Sequence, residues 1–416
     1  MPSTLRTTLP TLFALLFGYG LMQMGNTLQG TLLSVRGSID GFSPMEIGAV
    51  GAAFWVGIVL GSLRGGRVID RVGHTRTFAA LAAVASSSAL LHLVVIDPIV
   101  WIVARAITGF CFAGLFMVVE SWLNASATAQ TRGQILSLYG MTGLIAGIGG
   151  QLLLPAGNPS GFRLFCIVSM IISLALVPVA LSRATAPSHG ASEAKINIRR
   201  LHVQSPFGVV AAFLCGITTG SFFALGPVFA QSKGLDTGGI ALFMACGTLG
   251  GFAMTWPLGW LSDRIDRRLV IIGTTAIAAA ILFSFVMLIP AGAPRWVIYA
   301  CVAIFGGSVI PTYSIVTAHV NDMVKPGEFV AASGGLLILV GAGSAAGPIV
   351  GGMAMSALGP EGLAYMTIVA QAMMAVWGAY RIRQRAAPPE AQKEHFVPEP
   401  AVPVGTELTP AHAGGR

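Results

Sequence analysis

The sequence predicts an all-α integral membrane protein of 12 transmembrane helices, arranged as two six-helix bundles related by a pseudo-twofold axis, and three observations carry that prediction. Of the 416 residues, 54% are hydrophobic and only 10% are charged, against roughly 25% charged in a soluble globular chain. Apolar segments of about 20 residues recur along the chain, each long enough for a hydrocarbon layer of ~30 Å at ~1.5 Å per residue. Two loops 193 residues apart carry matching side chains, the mark of an internal repeat.

Hydrocarbon offers backbone groups no hydrogen-bond partner, so a chain this apolar must cross it as helices or as a closed barrel. Barrel strands would be shorter and alternating, which excludes them here. Six spans fall between Leu9 and Leu181 and six between Phe207 and Ala379. The expected organisation is an N-terminal bundle over residues 1–182, a polar cytoplasmic linker over 183–205, a C-terminal bundle over 206–383 and a disordered cytoplasmic tail over 384–416. The linker holds Pro187, Gly190, Lys195, Arg199 and Arg200, with room for a short surface helix. The first span follows Arg6 but exceeds a secretory apolar region, so it is expected to be retained. Cys111, Cys166, Cys215, Cys246 and Cys301 all lie in spans without close spacing, and read as small packing residues. No disulfide, metal site or cofactor is expected.

Charge sets the orientation. With both termini in the cytoplasm, all but five of the 24 Lys and Arg lie on that side, the five being Arg36, Arg105, Arg163, Lys233 and Arg295. The opposite orientation would invert the positive-inside rule. Topology and membrane lipid therefore explain the net charge of +8, and nucleic acid need not be invoked.

The repeat is clearest in the loops that join the second and third helices of each half. Gly66-Arg67-Val68-Ile69-Asp70-Arg71-Val72-Gly73, followed by His74 and Arg76, superposes on Gly259-Trp260-Leu261-Ser262-Asp263-Arg264-Ile265-Asp266-Arg267-Arg268. Glycine, aspartate and arginine coincide as Gly66 with Gly259, Asp70 with Asp263 and Arg71 with Arg264. At the same offset Arg132 meets Lys325, and Ser43 meets Asp236. Parallel repeats of this kind predict a site near the bilayer midplane between halves that rock against each other. Ser43-Pro44-Met45-Glu46 predicts a capping box at the start of the second helix. A substrate or proton role for Glu46 is the alternative.

The loop Gly66–Gly73 resembles the signature of the major facilitator superfamily, with His74-Thr75-Arg76 where the family usually has two consecutive basic residues. Val118-Val119-Glu120-Ser121-Trp122-Leu123 running to Arg132-Gly133, Gly220-Ser221 with Gly226-Pro227, and Trp256-Pro257-Leu258-Gly259 are similar to the YcaD-like branch of that family. The resemblance spans nearly all of Leu9 to Tyr380 and implies a transporter. It also implies a cytoplasmic gate containing Gly66, Asp70, Arg71, Gly73, Arg76, Glu120, Arg132, Gly259, Asp263 and Arg264. Within it Asp70 would accept hydrogen bonds from the eleventh helix near Glu328 to Ala331, while Arg71 and Arg76 would seek carboxylates such as Glu120. Arg105-Ala106-Ile107-Thr108-Gly109 resembles the fourth-helix motif linked with proton coupling, with Thr108 in place of the usual Gln.

The residues themselves point to a solute site. Arg105 is expensive inside a membrane unless it faces a wet cavity or a partner, and snorkelling to the interface is the alternative. Tyr19, Gln23, Asn26 and Gly30 recur at spacings of four, three and four and share one stripe of the first helix, with Gln29 on another face. Such a stripe looks into the bundle, where Gln23 and Asn26 serve as solute contacts, as partners of Arg105 or as interhelical glue. No Asp or Glu lies in the middle third of any predicted span, which favours a neutral or anionic organic solute over a permanent cation. His92, Glu120 and His319 are further titratable groups, the histidines with packing roles as the main alternative. Gly143, Ala146, Gly147 and Gly150, and Gly343, Gly347 and Gly351, predict close helix crossings.

Together these expectations describe a secondary active transporter of a small-molecule solute, working by alternating access, proton-coupled and inclined to efflux. The setting is the inner membrane, with a monomer as the unit. A passive facilitator or uptake permease keeps the same fold, and a non-transporting receptor or scaffold is the remaining alternative. The chain has no phosphate-binding Gly-rich loop to use ATP, and nothing in it points to an enzyme.

Overall fold

The computed structural model describes residues 3–127, 131–181, 197–288, 293–325, 328–384 and 396, and among these there are helices and turns but no strand. The linker residues 183–196, the tail beyond 384 apart from Phe396, and the side chain of Arg132 lie outside what is described. The first half runs α1 (Ser3–Ile39), α2 (Pro44–Val72), α3 (His74–Val94), α4 (Pro98–Ser126), α5 (Arg132–Leu152), α6 (Arg163–Leu174) and α7 (Leu176–Leu181). A short helix α8 (Ile198–Gln204) occupies the end of the linker. The second half runs α9 (Pro206–Ser232), α10 (Thr237–Arg264), α11 (Arg267–Leu288), α12 (Arg295–Val309), α13 (Thr312–Asn321), α14 (Phe329–Leu358) and α15 (Gly362–Gln384).

Eleven described segments are long and apolar enough to cross a membrane, with α6 and α7 continuous over Arg163–Leu181, and α12 and α13 over Arg295–Asn321. The remaining one of the 12 expected spans is α1, whose 37 residues exceed the needed length. Its apolarity is diluted by Gln23, Asn26, Gln29 and the glycines among them, the first sign that one face of α1 does not meet lipid.

Local chemistry sets the helix starts. Ser43 and Glu46 form the reciprocal box at α2: Glu46 N donates to Ser43 Oγ at 3.3 Å, and Ser43 N donates back to Glu46 Oε2 at 2.7 Å. Asp97 accepts from the amides of Ile99 and Val100 at α4, and Asp236 accepts from Gly239 N at α10. Gly73 turns the chain between α2 and α3 with φ at 88°, in the left-handed region that only glycine enters without strain. The second glycine of the signature loop is therefore a backbone requirement.

Two compact units emerge from the packing, one of residues 1–29 with 53–194, the other of 30–52 with 195–399. In the first, α3 packs on α4 and α6. In the second, α9 packs on α14, α10 on α12 and α11 on α15. The hairpin from Gly30 to Ala52 belongs to the second unit, where Ser34 Oγ donates to Ala224 O at 2.7 Å and Gly48 abuts the carbonyl of Pro348.

The repeat seen in the sequence recurs in the packing. Gly57 of α2 presses against the Ala106 carbonyl of α4, and Gly250, 193 residues on, presses against the Ala303 carbonyl of α12. Gly150 of α5 meets the Met24 carbonyl of α1, and its counterpart Gly343 of α14 meets the Phe213 carbonyl of α9. Each half thus crosses its equivalent helices through equivalent glycines, where backbone contacts backbone.

At the start of α15, Lys233 Nζ donates to Glu361 Oε1 at 2.6 Å. That hydrogen bond, with the charge of Lys233, holds the Glu361 carboxyl below the ordinary glutamate range. A carboxyl lowered in the folded state contributes stability above its unfolded pKa and loses it as pH falls through the folded value. The melting temperature of the wild type should therefore decline on acidification below about pH 4.3, and Glu361→Gln should lose that component of the decline. Because both side chains are partly exposed, the effect should stay under about 1 kcal/mol.

Candidate functional site

The polar stripe of α1 is buried inside the first unit. Tyr19, Gln23 and Asn26 are 5, 6 and 8% exposed, and Gln29 is fully enclosed. Gln23 Oε1, Asn26 Oδ1 and both polar atoms of Gln29 lack any hydrogen-bond partner among the described residues. Unmade hydrogen bonds of this kind cost about 1–3 kcal/mol each, and native interiors rarely tolerate several together. Gln29 was set on another face by its spacing, yet it shares the condition of its neighbours.

What faces the stripe follows from the rings. Tyr19 packs on Phe116 of α4 at 6.0 Å and on Tyr139 of α5 at 4.2 Å between centroids. Since α1 and α4 run antiparallel, the Tyr19–Phe116 contact sets Gln23 about level with Phe112 and Asn26 within about a turn of Arg105. On α4, Arg105, Phe112 and Phe116 stand seven and four residues apart and therefore share one stripe. A continuous row results: the Arg105 guanidinium lies 4.3 Å over the Phe54 ring, Phe54 packs on Phe112 at 6.3 Å, and Phe112 on Phe116 at 5.8 Å. The other face of α4 is committed to packing, because Thr108 donates to Ser88 Oγ at 3.1 Å and Ser88 to Ala104 O at 2.8 Å. His92, fully enclosed, pairs its Nδ1 with Ser88 O at 2.7 Å and packs its ring on Trp101, while its Nε2 is enclosed without a hydrogen-bond partner among the described residues.

Arg105 is 6% exposed, forms no ion pair or hydrogen bond among the described residues, and leaves Nη1 both enclosed and unpartnered. Taking such an ion out of water costs several kcal/mol, whereas one ring face returns about 0.5–2. The Arg105 head lies on Phe54 within the unit.

The expected gate residues divide. Gly66 of α2 faces Met117 of α4, and Asp70 and Arg71 occupy the exposed last turn of α2. Arg71 and Arg76 are exposed and make no ion pair among the described residues, and Glu120, 1% exposed, accepts from Tyr139 Oη at 3.0 Å. The buried basic group of that loop is His74, 4% exposed, whose Nε2 pairs with Ser121 Oγ at 3.1 Å.

In the second unit the same offset puts Arg267 where His74 stands. Arg267 is 1% exposed; its Nε donates to Asp322 at 2.8 Å and its Nη1 donates to Asp263 at 2.9 Å and Ser262 Oγ at 3.0 Å. Arg264 is exposed and stacks on Trp260 at 3.7 Å. Asp263 also accepts from Phe396 N at 3.1 Å, and the Phe396 ring covers Gly259. Burial alone would raise the Asp266 carboxyl, but hydrogen bonds and charge from Arg268 outweigh it and hold it low. Arg200 and Gln204 of α8 both donate to Glu328, which ties the linker helix to the start of α14. Sequence reasoning missed Tyr139, Arg267, Asp322 and Gln29. The consecutive Arg267-Arg268 was the available signal, since the family pattern has two basic residues there.

A cavity in the second unit is walled by Phe222, Phe229, Phe243, Phe285 and Phe305, with Thr367 and Cys301 as the polar side chains of its lining. Thr367 donates its hydroxyl proton to Leu363 O at 2.8 Å, so this wall offers little to read a polar solute, and the α1–α4 face is the stronger candidate site.

Helices this long and apolar define a membrane-spanning helical protein. Residues 15–334 match the Major Facilitator Superfamily, and this chain belongs to that family. It is similar to an uncharacterized MFS-type transporter of Enterobacter sp. (strain 638), with 26% identity over 345 residues, 82% of this chain and 88% of the relative. The uncharacterized MFS-type transporter YcaD of Shigella flexneri is also 26% identical, over 347 residues with the same coverage. Among solved structures, the nucleoside transporter NupG superposes with a TM-score of 0.76 at 13% identity, covering 92% of this chain and 100% of its own. A bacterial homolog of the human lysosomal transporter Spinster, inward-facing and occupied, gives 0.70 at 16%, covering 92% and 97%. The chain is therefore an integral membrane transporter with the family's fold.

Proposed function

We propose that this protein is a secondary active transporter that moves a small organic solute by alternating access, coupled to protons and directed toward export. The observation that carries the reading is the set of enclosed polar atoms on Gln23, Asn26, Gln29 and Arg105 that have no hydrogen-bond partner among the described residues. Side chains that only glued helices together would be bonded to each other. Here a passing solute supplies the missing partners, and Arg105 with Gln23, Asn26 and Tyr19 forms the substrate and coupling site. The two signature loops act as the cytoplasmic latch, each built around a buried basic residue, His74 or Arg267. The protein sits in the inner membrane with both termini in the cytoplasm, as its basic loops favour.

Reconstitution into vesicles containing a pH-sensitive dye tests the coupling. Solute added against its gradient should drive a matching proton movement. Solute flux without proton movement would make the protein a passive facilitator. Asp70→Asn should cut flux at least several-fold while leaving membrane insertion and melting temperature intact, and unchanged flux would remove the latch from the mechanism.

A further inference from the structure

We propose that the solute is an organic acid with a flat aromatic body, its carboxylate paired with Arg105 and its ring lying along Phe54, Phe112 and Phe116. The inference rests on the transport reading above and narrows it to a substrate class.

The starting point is a charge without a counterion. Arg105 is buried, has no ion pair, and presents an enclosed Nη1 that donates to nothing among the described residues. The described carboxylates of the first unit do not serve. Asp97 is bonded to the amides that begin α4, some eight residues or about 12 Å along the helix from Arg105. Glu120 accepts from Tyr139 and stands fifteen residues on, about 22 Å away along the same helix. Asp70 ends α2, sixteen residues or about 24 Å beyond Phe54. No described residue of the unit supplies the anion, so it arrives with the solute.

Chemistry selects the acid. The guanidinium fork matches a carboxylate with two parallel hydrogen bonds. One guanidinium neutralises one negative charge, and the other polar groups of the face, Gln23 and Asn26, are neutral amides. A phosphate ester carries about −1.5 to −2 near neutral pH and would leave charge uncompensated there. The body follows from the row of rings. Phe112 and Phe116 continue the Arg105 stripe along α4, with Phe54 beneath the guanidinium and Tyr19 closing the far end. Aromatic rings recognise another flat ring by offset or edge-on packing. The unmet Gln23 and Asn26 oxygens beside the row suit donor substituents on that ring.

Thermal-shift titration of the purified full-length protein, at a pH where the acids are ionised, tests this with matched probes. These are benzoate and 2-naphthoate, their amides benzamide and 2-naphthamide, and cyclohexanecarboxylate. Wild type should bind 2-naphthoate about tenfold tighter than 2-naphthamide, as expected for a charge-assisted pair, and more tightly than cyclohexanecarboxylate. Arg105→Gln should erase the preference for acid over amide and keep the preference for a ring. Phe112→Leu should do the reverse. Equal binding of acid and amide by wild type, or no stabilisation by any acid at millimolar concentration, overturns the inference without need of a variant. Acid binding without flux in vesicles would uphold the anion site and sink the transport reading. Flux of neutral solutes by a protein indifferent to acids would do the opposite.

Discussion

Arg267→Met is expected to destabilise the protein by roughly 3–5 kcal/mol, the cost of stranding one member of a buried ion pair. The Asp322 side chain is 2% exposed and receives the Arg267 Nε hydrogen bond at 2.8 Å, so the substitution leaves a carboxylate enclosed without that partner. Asp263 and Ser262 lose the Arg267 donor at the same time, and Asp263 keeps the Phe396 amide. The readout is the melting temperature in detergent, followed by intrinsic fluorescence. Adding Asp322→Asn to the variant should recover part of the loss, because it removes the stranded charge, and such non-additivity is the signature of direct coupling. Arg264 stacks on exposed Trp260 and donates to its carbonyl at 3.2 Å, so Arg264→Met should stay within about 0.5 kcal/mol of wild type. Equal losses in the Arg264 and Arg267 variants would show that the signature arginine, and not the buried one, holds this loop.

Gly57→Leu should be nearly as damaging, at about 3 kcal/mol or more. A side chain there would be driven into the Ala106 carbonyl and toward Phe110 N, at 2.8 Å from a Cβ. Backbone cannot rotate aside as a side chain does, so α2 and α4 would have to separate. Gly250→Leu, the counterpart against Ala303, should behave alike. Gly140 is the control: it lies mid-helix in α5 with nothing within 4 Å of an added Cβ. Gly140→Ala should be neutral or gain about 0.5–1 kcal/mol from helix propensity. Thermal melting and the yield of monodisperse protein on size exclusion report both effects. A tolerated leucine at position 57 would contradict the close crossing.

Much of the fold was legible because its causes are local or periodic. Long apolar runs have one physical solution in hydrocarbon, and the Ser43–Glu46 box appears as the sequence reads it. Gly150 and Gly343 were picked out as small residues at four-residue spacing, and both lie at helix crossings. The candidate site was legible in part. Spacing put Tyr19, Gln23 and Asn26 on one stripe, and the stripe is buried. Gln29 escaped because a 37-residue helix in a bundle is enclosed on more than one face. The partners of Glu120 and Asp263 also escaped. Arg71, Arg76 and Arg264 looked equivalent to other basic residues of their loops, but each points outward, whereas Tyr139 and Arg267 reach inward.

The amino-acid order alone determined that this chain crosses a membrane as helices, that it contains two copies of one motif, and which helix faces are polar. Those properties depend on transfer free energy and on the 3.6-residue period, both summed over neighbours in the chain. Only the tertiary structure decided which basic residue of each loop is buried, that His74 meets Ser121 and Arg267 meets Asp322, and that Arg105 lies on Phe54 with no ion pair among the described residues. Those outcomes turn on how far two helices approach and rotate, distances of an ångström or two that no spacing along one helix contains.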